Sequence, residues 1–339
     1  MAQLFGVGAG WGQLVGHNLL GAGVSVGEQA ALIGPAGQRV PGAFLDVTDA
    51  NSDAQLRFLA AALGVIEDPA LVETSTGVVQ VTALAALPES SVTAEGLATA
   101  AAIIALRGLM TSDQIRARLG SLRVTEASRL RAHAAVARDQ RLGSGEVVPI
   151  GMRMTHAGFF AVEERRISFR RFDGRMSETV GREIFVSGDA VTVLPYDPLR
   201  DRVLLIEQMR MGPFGRGDPL PWQLEAIAGR IDPGETPEDC ARREAVEEAG
   251  LALGALEKVA EYYPSPGAMT EYLYSYVALC ALPDGVAGVF GVAGEAEDIR
   301  GHLIGFDRFM GLVTSGEVSN APLLLTAFWL QRERGRLRG

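Results

Sequence analysis

The chain has 339 residues, 47% of them hydrophobic, a net charge of −10 and no basic run. That length favours two domains, and the acidic balance argues against a nucleic-acid partner. The two cysteines, Cys240 and Cys280, exclude a disulfide framework and suit a reducing compartment.

Residues 1–27 carry no charged side chain. They lack a basic n-region, and six glycines interrupt the first 21 positions, so they do not read as a signal peptide. The apolar run Leu97–Leu106 is too short to span a bilayer. A cytoplasmic protein with no membrane partner is expected. Residues 1–110 hold 12 charged residues and residues 111–339 hold 60, a shift that predicts two domains of different kinds.

Residues 1–90 alternate short apolar runs with glycine-rich turns. The G-x-G spacing in Leu4–Gly12 has no full strand before it and Trp11-Gly12 opens no helix, so a dinucleotide site is not expected. Val7-Gly8-Ala9-Gly10 and Leu56-Arg57-Phe58-Leu59-Ala60-Ala61 together resemble a degraded γ-glutamylcyclotransferase-like domain over roughly residues 3–85. Ala60 stands where that family carries its acid/base glutamate, and alanine supplies no titratable group. The resemblance therefore implies a small α+β barrel without activity.

Residues 92–136 read as helical, with Thr111-Ser112-Asp113 as a start signal and the arginines of 113–136 as a solvated face. Asp139–Gly151 is the expected boundary. This gives domains at 1–90 and 151–339 with a helical connector over 91–150. Beyond it strands are expected at 159–172, 182–186, 190–196, 203–209, 222–228, 256–263 and 271–282. Helices are expected at 307–315 and 321–334, with Phe328, Trp329 and leucines 323–325 in the core.

The most informative stretch is Gly229–Leu251, GRIDPGETPEDCARREAVEEAGL. Thr236 suits an N-cap, Pro237 the first turn and Gly250 a helix stop, which predicts a helix over 237–249. Glu244 and Glu248 share a face on it, with Glu247 beside them. Like charges at that spacing repel, and a hard divalent cation would relieve them. Arg243 can pair with Glu247 and Glu235. Cys240 lies among acids, which predicts an inert thiol.

This stretch fits G-x5-E-x7-R-E-U-x-E-E-x-G-U (U, apolar) and resembles the Nudix box. The resemblance implies an α/β/α sandwich around a mixed sheet and hydrolysis of a nucleoside diphosphate linked to another group. Over residues 152–335 the chain is most similar to ADP-ribose pyrophosphatases. The likeness rests on Ile206-Glu207-Gln208-Met209-Arg210, Trp222-Gln223-Leu224-Glu225, Pro264-Ser265-Pro266-Gly267 and Gly294–Ile299.

By position the resemblance makes Glu244, Glu248, the Ala228 carbonyl and Glu297 ligands of Mg2+, or Mn2+ in its place. Glu247 is a further ligand or orients one, and Glu295 is the base that activates water. Arg210 and Arg182 meet phosphates or the terminal ribose, Phe159 stacks on adenine with Glu183 at the base edge, and Pro266 belongs to the substrate loop. A homodimer follows from the same likeness, with Phe159, Arg182 and Glu183 serving the neighbour's site. The two-domain layout resembles bacterial fusion proteins linked to tellurite resistance. GDP-mannose or another nucleoside diphosphate sugar is the alternative substrate, and a non-catalytic ligand-sensing scaffold is the alternative of another class.

Overall fold

The structure is a computed structural model. It describes residues 2–5, 24–33, 39–47, 55, 58–59, 61–63, 67–74, 77–84, 94–134, 145–291 and 298–339. The chain divides into two compact units, Met1–Glu183 and Ile184–Gly339.

In the first unit β1 (Ala2–Phe5), β2 (Val24–Ile33), β3 (Arg39–Val47), β4 (Glu67–Thr74) and β5 (Gly77–Leu84) form a closed barrel in the order β1-β3-β2-β4-β5. A parallel pairing of β1 with β5 completes the ring. Val7–Gly10 and Ala60, on which the cyclotransferase likeness rests, lie outside the described residues.

Three helices follow: α1 (Ala94–Ala105), α2 (Ser112–Arg116) and α3 (Leu119–Ala134). Thr111 caps α2 with a reciprocal capping box through Gln114, as the start signal predicts. Leu59, Ala62, Ile103, Leu106 and Ile115 make one buried cluster. The arginines here are not simply a solvated face. Arg116 donates to the Ala61 carbonyl at 2.7 Å and Arg118 to the Gly158 carbonyl at 2.8 Å. Arg129 bridges buried Glu126 and Glu163.

The strands β6 (Val147–Ala157), β7 (Ala161–Phe169) and β8 (Val180–Val186) form a three-stranded sheet. β6 starts inside the stretch read as a boundary. The strand expected from Phe159 starts at Ala161, because Phe159 occupies the turn between β6 and β7.

The second unit is built on β9 (Ala190–Asp197), β10 (Arg202–Met209), β11 (Trp222–Glu225), β12 (Ile227–Arg230), β13 (Leu256–Tyr262), β14 (Leu273–Leu279), β15 (Val289–Phe290) and β16 (Ile299–Gly305). They form a mixed eight-stranded sheet, β13-β14-β9-β10-β16-β15, with β11 on β10 and β12 on β9. β9 and β10 pair only at the base of their hairpin, Asp197 with Arg202 and Tyr196 with Val203. They then diverge. β12 pairs with β9 and β11 with β10 in the opening. The single strand expected over 222–228 is thus two strands, broken at Ala226, where the chain passes from one arm to the other.

Alternation sorts the sheet's side chains onto two faces. Val191, Val193, Leu204, Ile206, Ile227 and Ile299 pack with Cys240, Ala241, Ala245 and Ala249 of α5 (Pro237–Ala249). Leu194, Tyr196, Val203 and Leu205 pack with α6 (Phe306–Ser315) and α7 (Ala321–Leu337). The short α4 (Met211–Arg216) follows β10 and has no counterpart in the sequence reading.

On α7 the buried stripe is Leu323, Thr326, Ala327 and Leu330, which is helical i, i+3, i+4, i+7 spacing. Phe328 and Leu325 fall on the other side and are exposed, Phe328 at 55%, so these two do not belong to the core. Among the described residues no helix is long and apolar enough to cross a membrane.

Candidate active site

The helix expected over 237–249 spans Pro237–Ala249. The Thr236 hydroxyl accepts from the Asp239 amide at 3.1 Å. At the other end Gly250 is left-handed, φ 61°, and Leu251 N–H returns to Ala245 O at 2.9 Å. That is the geometry for which glycine is preferred at a helix end. Three alanines on the buried stripe let α5 lie close to β9 and β12.

Close approach fixes the carboxylates. Glu244 is 9% exposed and Glu248 3%. Glu248 Oε2 accepts from the Ala228 amide at 3.0 Å. Ala228 faces Thr192 across the β9–β12 ladder, and its N–H points away from β9 towards Glu248. In an extended strand the carbonyl of the same residue leaves on the same edge. Beside it, Gly229 passes so near Glu244 that an added Cβ would lie 1.8 Å from Oε1.

Arg243 ties this surface together. Its Nε and Nη2 grip both oxygens of Glu235 at 2.9 and 3.1 Å. Nη1 reaches Glu244 Oε1 at 2.7 Å and Glu247 Oε2 at 3.0 Å, and Nη2 reaches the Arg230 carbonyl. Burial alone would raise the Glu235 carboxyl. The hydrogen bonds from Arg243 and from the Asp232 amide outweigh it and hold the group below the usual range. The same contacts raise the Arg243 guanidinium. Cys240 is buried and donates towards the Arg230 carbonyl, and burial pushes its thiol well up, in line with an inert residue.

Arg210 follows β10 as the N-cap residue of α4, and Glu225, which pairs opposite Ile206 on the α5 face, accepts from its Nε at 2.7 Å. Burial raises the Glu225 carboxyl and Arg210 offsets part of that. Glu271, also raised by burial, lies within the electrostatic reach of Arg230 and Arg210. Sequence reasoning did not single out Glu225 and Glu271 as site residues. Only the strand register could have found Glu225, and nothing in the local pattern marks Glu271.

Pro266 lies in an exposed turn. The turn's far side is fastened to the start of the unit: Phe185 N–H reaches Ala268 O at 2.8 Å and Thr270 N–H reaches Phe185 O at 3.0 Å. The opposite face of β10 and β16 carries a separate cavity of about 240 Å³ lined by Glu207, Trp222, Val289, Asp298 and Arg300.

The structure therefore brings Glu244, Glu247, Glu248, Ala228 and Arg210 to one face of one unit. Phe159, Arg182 and Glu183 belong to the first unit. Phe159 is 71% exposed, edge-on to Phe160, and not a core residue. Arg182 and Glu183 are exposed, with Arg182 donating to the Gly181 carbonyl. Glu295 and Glu297 lie outside the described residues.

A model of the NUDIX domain matches residues 186–307. The ADP-ribose pyrophosphatase of Escherichia coli (strain K12) is 38% identical over 196 residues, 58% of this chain and 93% of that protein. This chain belongs to the Nudix hydrolase family. The GDP-mannose pyrophosphatase of Enterobacter sp. (strain 638) is 34% identical over 150 residues, 44% of this chain and 77% of that protein. A crystal structure described as an ADP compounds hydrolase covers 59% of this chain and all of its own, at 19% identity and a TM-score of 0.45.

Nudix hydrolases generally use divalent metal ions. Among the described residues no three His, Cys, Asp or Glu side chains form a group that could hold an ion by themselves. The donors present still fit a hard cation in kind: two buried carboxylates one helical turn apart, against a strand whose glycine leaves room for one of them. A small hard cation needs only one or two protein carboxylates, because water and substrate phosphate supply the rest.

Proposed function

We propose that this Nudix protein hydrolyses ADP-ribose with water to AMP and ribose 5-phosphate, using Mg2+. The observation that carries the reading is the seating of Glu244 and Glu248 against Ala228–Gly229, two buried acids on the strand edge. The 38% identity to an ADP-ribose pyrophosphatase, over nearly all of that enzyme, supports the choice of substrate.

Bound Mg2+ neutralises diphosphate charge and lowers the pKa of water. Glu244, Glu248 and the Ala228 carbonyl would hold it, with Glu297 as a further ligand. Arg243 keeps Glu244 and Glu247 from swinging away. Arg210, steadied by Glu225, offers its guanidinium to the phosphates. Pro266 shapes the loop on the substrate side. Glu295 takes the proton of the attacking water.

Phe159, Arg182 and Glu183 are assigned to the adenine side, in a homodimer where each subunit's first strands serve the other's site. Their exposure leaves them available for that role. The barrel is assigned as a cyclotransferase-like domain without activity, within the layout 1–90, 91–150 and 151–339, and the protein is placed in the cytoplasm.

The test is a panel of nucleoside diphosphate sugars with Mg2+, read by phosphate that an added phosphomonoesterase frees from the AMP-type and sugar-phosphate products but not from the diphosphate substrates. ADP-ribose is expected to turn over fastest. A much faster rate with GDP-mannose would replace the substrate, a reading that the 34% identity to a GDP-mannose pyrophosphatase keeps second. No turnover of any member would favour a binding module.

A further inference from the structure

We infer that Arg118, in the connector just before α3, is a positioning residue: it holds the β6–β7 turn and so presents Phe159 to the adenine. This rests on the proposed assignment of Phe159 to the adenine side.

Ala157 pairs with Ala161 across the hairpin, and Gly158 N–H closes the turn on the Phe160 carbonyl at 2.8 Å. An exposed hairpin tip is where main-chain disorder concentrates unless something ties it down. Here the ties come from the connector. Arg118 Nε donates to the Gly158 carbonyl at 2.8 Å, and Ser121 Oγ reaches the Phe159 carbonyl at 3.4 Å, a long contact. The charged donor makes the stronger of the two bonds. Met154 of β6 and Leu119 and Leu122 of α3 pack on one apolar cluster with Ile103 and Ile115. Further along, Arg129 of α3 binds Glu163 of β7 at 3.1 Å. The helix thus lies along the hairpin, and its first turn meets the hairpin's tip.

The main chain at 158–159 is therefore held while the Phe159 ring stays exposed, edge-on to Phe160. A ring carried on a fixed main chain has less freedom to lose when a planar base stacks on it. Pre-organisation of that kind lowers KM and leaves kcat alone.

Arg118→Met, Arg129→Met, Phe159→Ala and the double variant Arg118→Met with Phe159→Ala are made in the full chain. The readouts are kcat and KM for ADP-ribose with Mg2+, Kd for ADP by calorimetry with Ca2+, the melting temperature, and hydrogen exchange over residues 156–161. Arg118→Met should speed exchange at the turn. Its KM and Kd should rise about two- to tenfold, the range for ordering a freed loop or side chain on binding, with kcat changed by less than about twofold. Arg129→Met loosens the same helix away from the tip, so it should lower the melting temperature without moving KM. In the Phe159→Ala background Arg118→Met should add little, because coupled residues are not additive.

Unchanged KM and Kd in Arg118→Met, where Phe159→Ala raises both, overturn the inference alone. So does an equal rise in Arg129→Met, which would mean general loosening, or a full further rise on top of Phe159→Ala. Unchanged KM and Kd in Phe159→Ala refute the assignment of Phe159 and the inference with it. A wild type that binds ADP but leaves ADP-ribose intact refutes the proposed reaction, and the Kd arm still decides on Arg118. A wild type that does not bind ADP counts against both.

Discussion

The Glu244 carboxylate fills the space that a side chain on Gly229 would need. A Cβ on Gly229 would lie 1.8 Å from Glu244 Oε1, 1.9 Å from Cδ and 2.5 Å from Cγ. The glycine at the head of the motif and the glutamate on its helix are thus one device: the first makes room for the second. Gly229→Ala must displace either the strand or the carboxylate. We expect kcat/KM to fall about 100-fold, as an ångström-scale misplacement does, with a stability loss of about 1–3 kcal/mol. Steady-state rates and urea melts would check both, and near-normal kcat/KM would contradict the seating described.

Glu248→Gln separates charge from shape. The glutamine carbonyl can still accept from the Ala228 amide, as Glu248 does at 3.0 Å, so the fold should persist. Turnover should drop at least about 100-fold, the range seen when a metal's immediate surroundings are disturbed, and the Mg2+ requirement should shift upward. Unchanged rates across a Mg2+ titration would remove Glu248 from the ligand set.

Arg243→Lys is not a mild change here. Five acceptor atoms on Glu235, Glu244, Glu247 and Arg230 converge on one guanidinium, and an ammonium cannot span that fork. The expected stability loss is about 1–3 kcal/mol, with a fall in kcat because two acids lose their restraint. A thermal melt and an activity assay matching the wild type would show the network to be dispensable.

Asp201 gives a pH signature away from the site. Its backbone has φ 53°, and its carboxylate gathers Tyr196 OH, Arg334 and Arg338. The Arg334 hydrogen bond above all lowers its pKa to about 2 against the opposing effect of burial. An unfolded aspartate titrates near about 3.9. The stabilisation is therefore complete above about pH 4 and is lost as pH falls towards 2. Asp201→Asn tolerates the left-handed backbone and should cost about 1–2 kcal/mol at pH 7. Urea melts of both proteins should converge below pH 4. A constant difference down to pH 2.5 would mean that charge is not the cause.

Local signals were legible where one residue type answers one local demand. Thr236, Pro237 and Gly250 set the ends of α5 to the residue. The facing of Glu244 and Glu248 followed from helical spacing alone. What could not be read depended on partners far along the chain. Nothing near Ala226 announces that its strand changes partner there. Phe328 reads as core by composition, yet the stripe chosen by Leu323, Ala327 and Leu330 leaves it outside. Gly229 was legible as part of a pattern, but its reason, a carboxylate 15 positions later, is a matter of packing.

The divergence of β9 from β10 has a consequence for how the protein acquires its active form. A hairpin normally zips from its turn, but this one can close for only two pairs, at Tyr196–Val203 and Asp197–Arg202. The rest of each arm waits for residues 222–230. On a ribosome, the arms would emerge well before the wedge that belongs between them. A zipper that ran to completion in that interval would be a trap, to be undone before α5 could dock. Pulsed hydrogen exchange during refolding should therefore find Val191 and Val193 protected no earlier than Ile227.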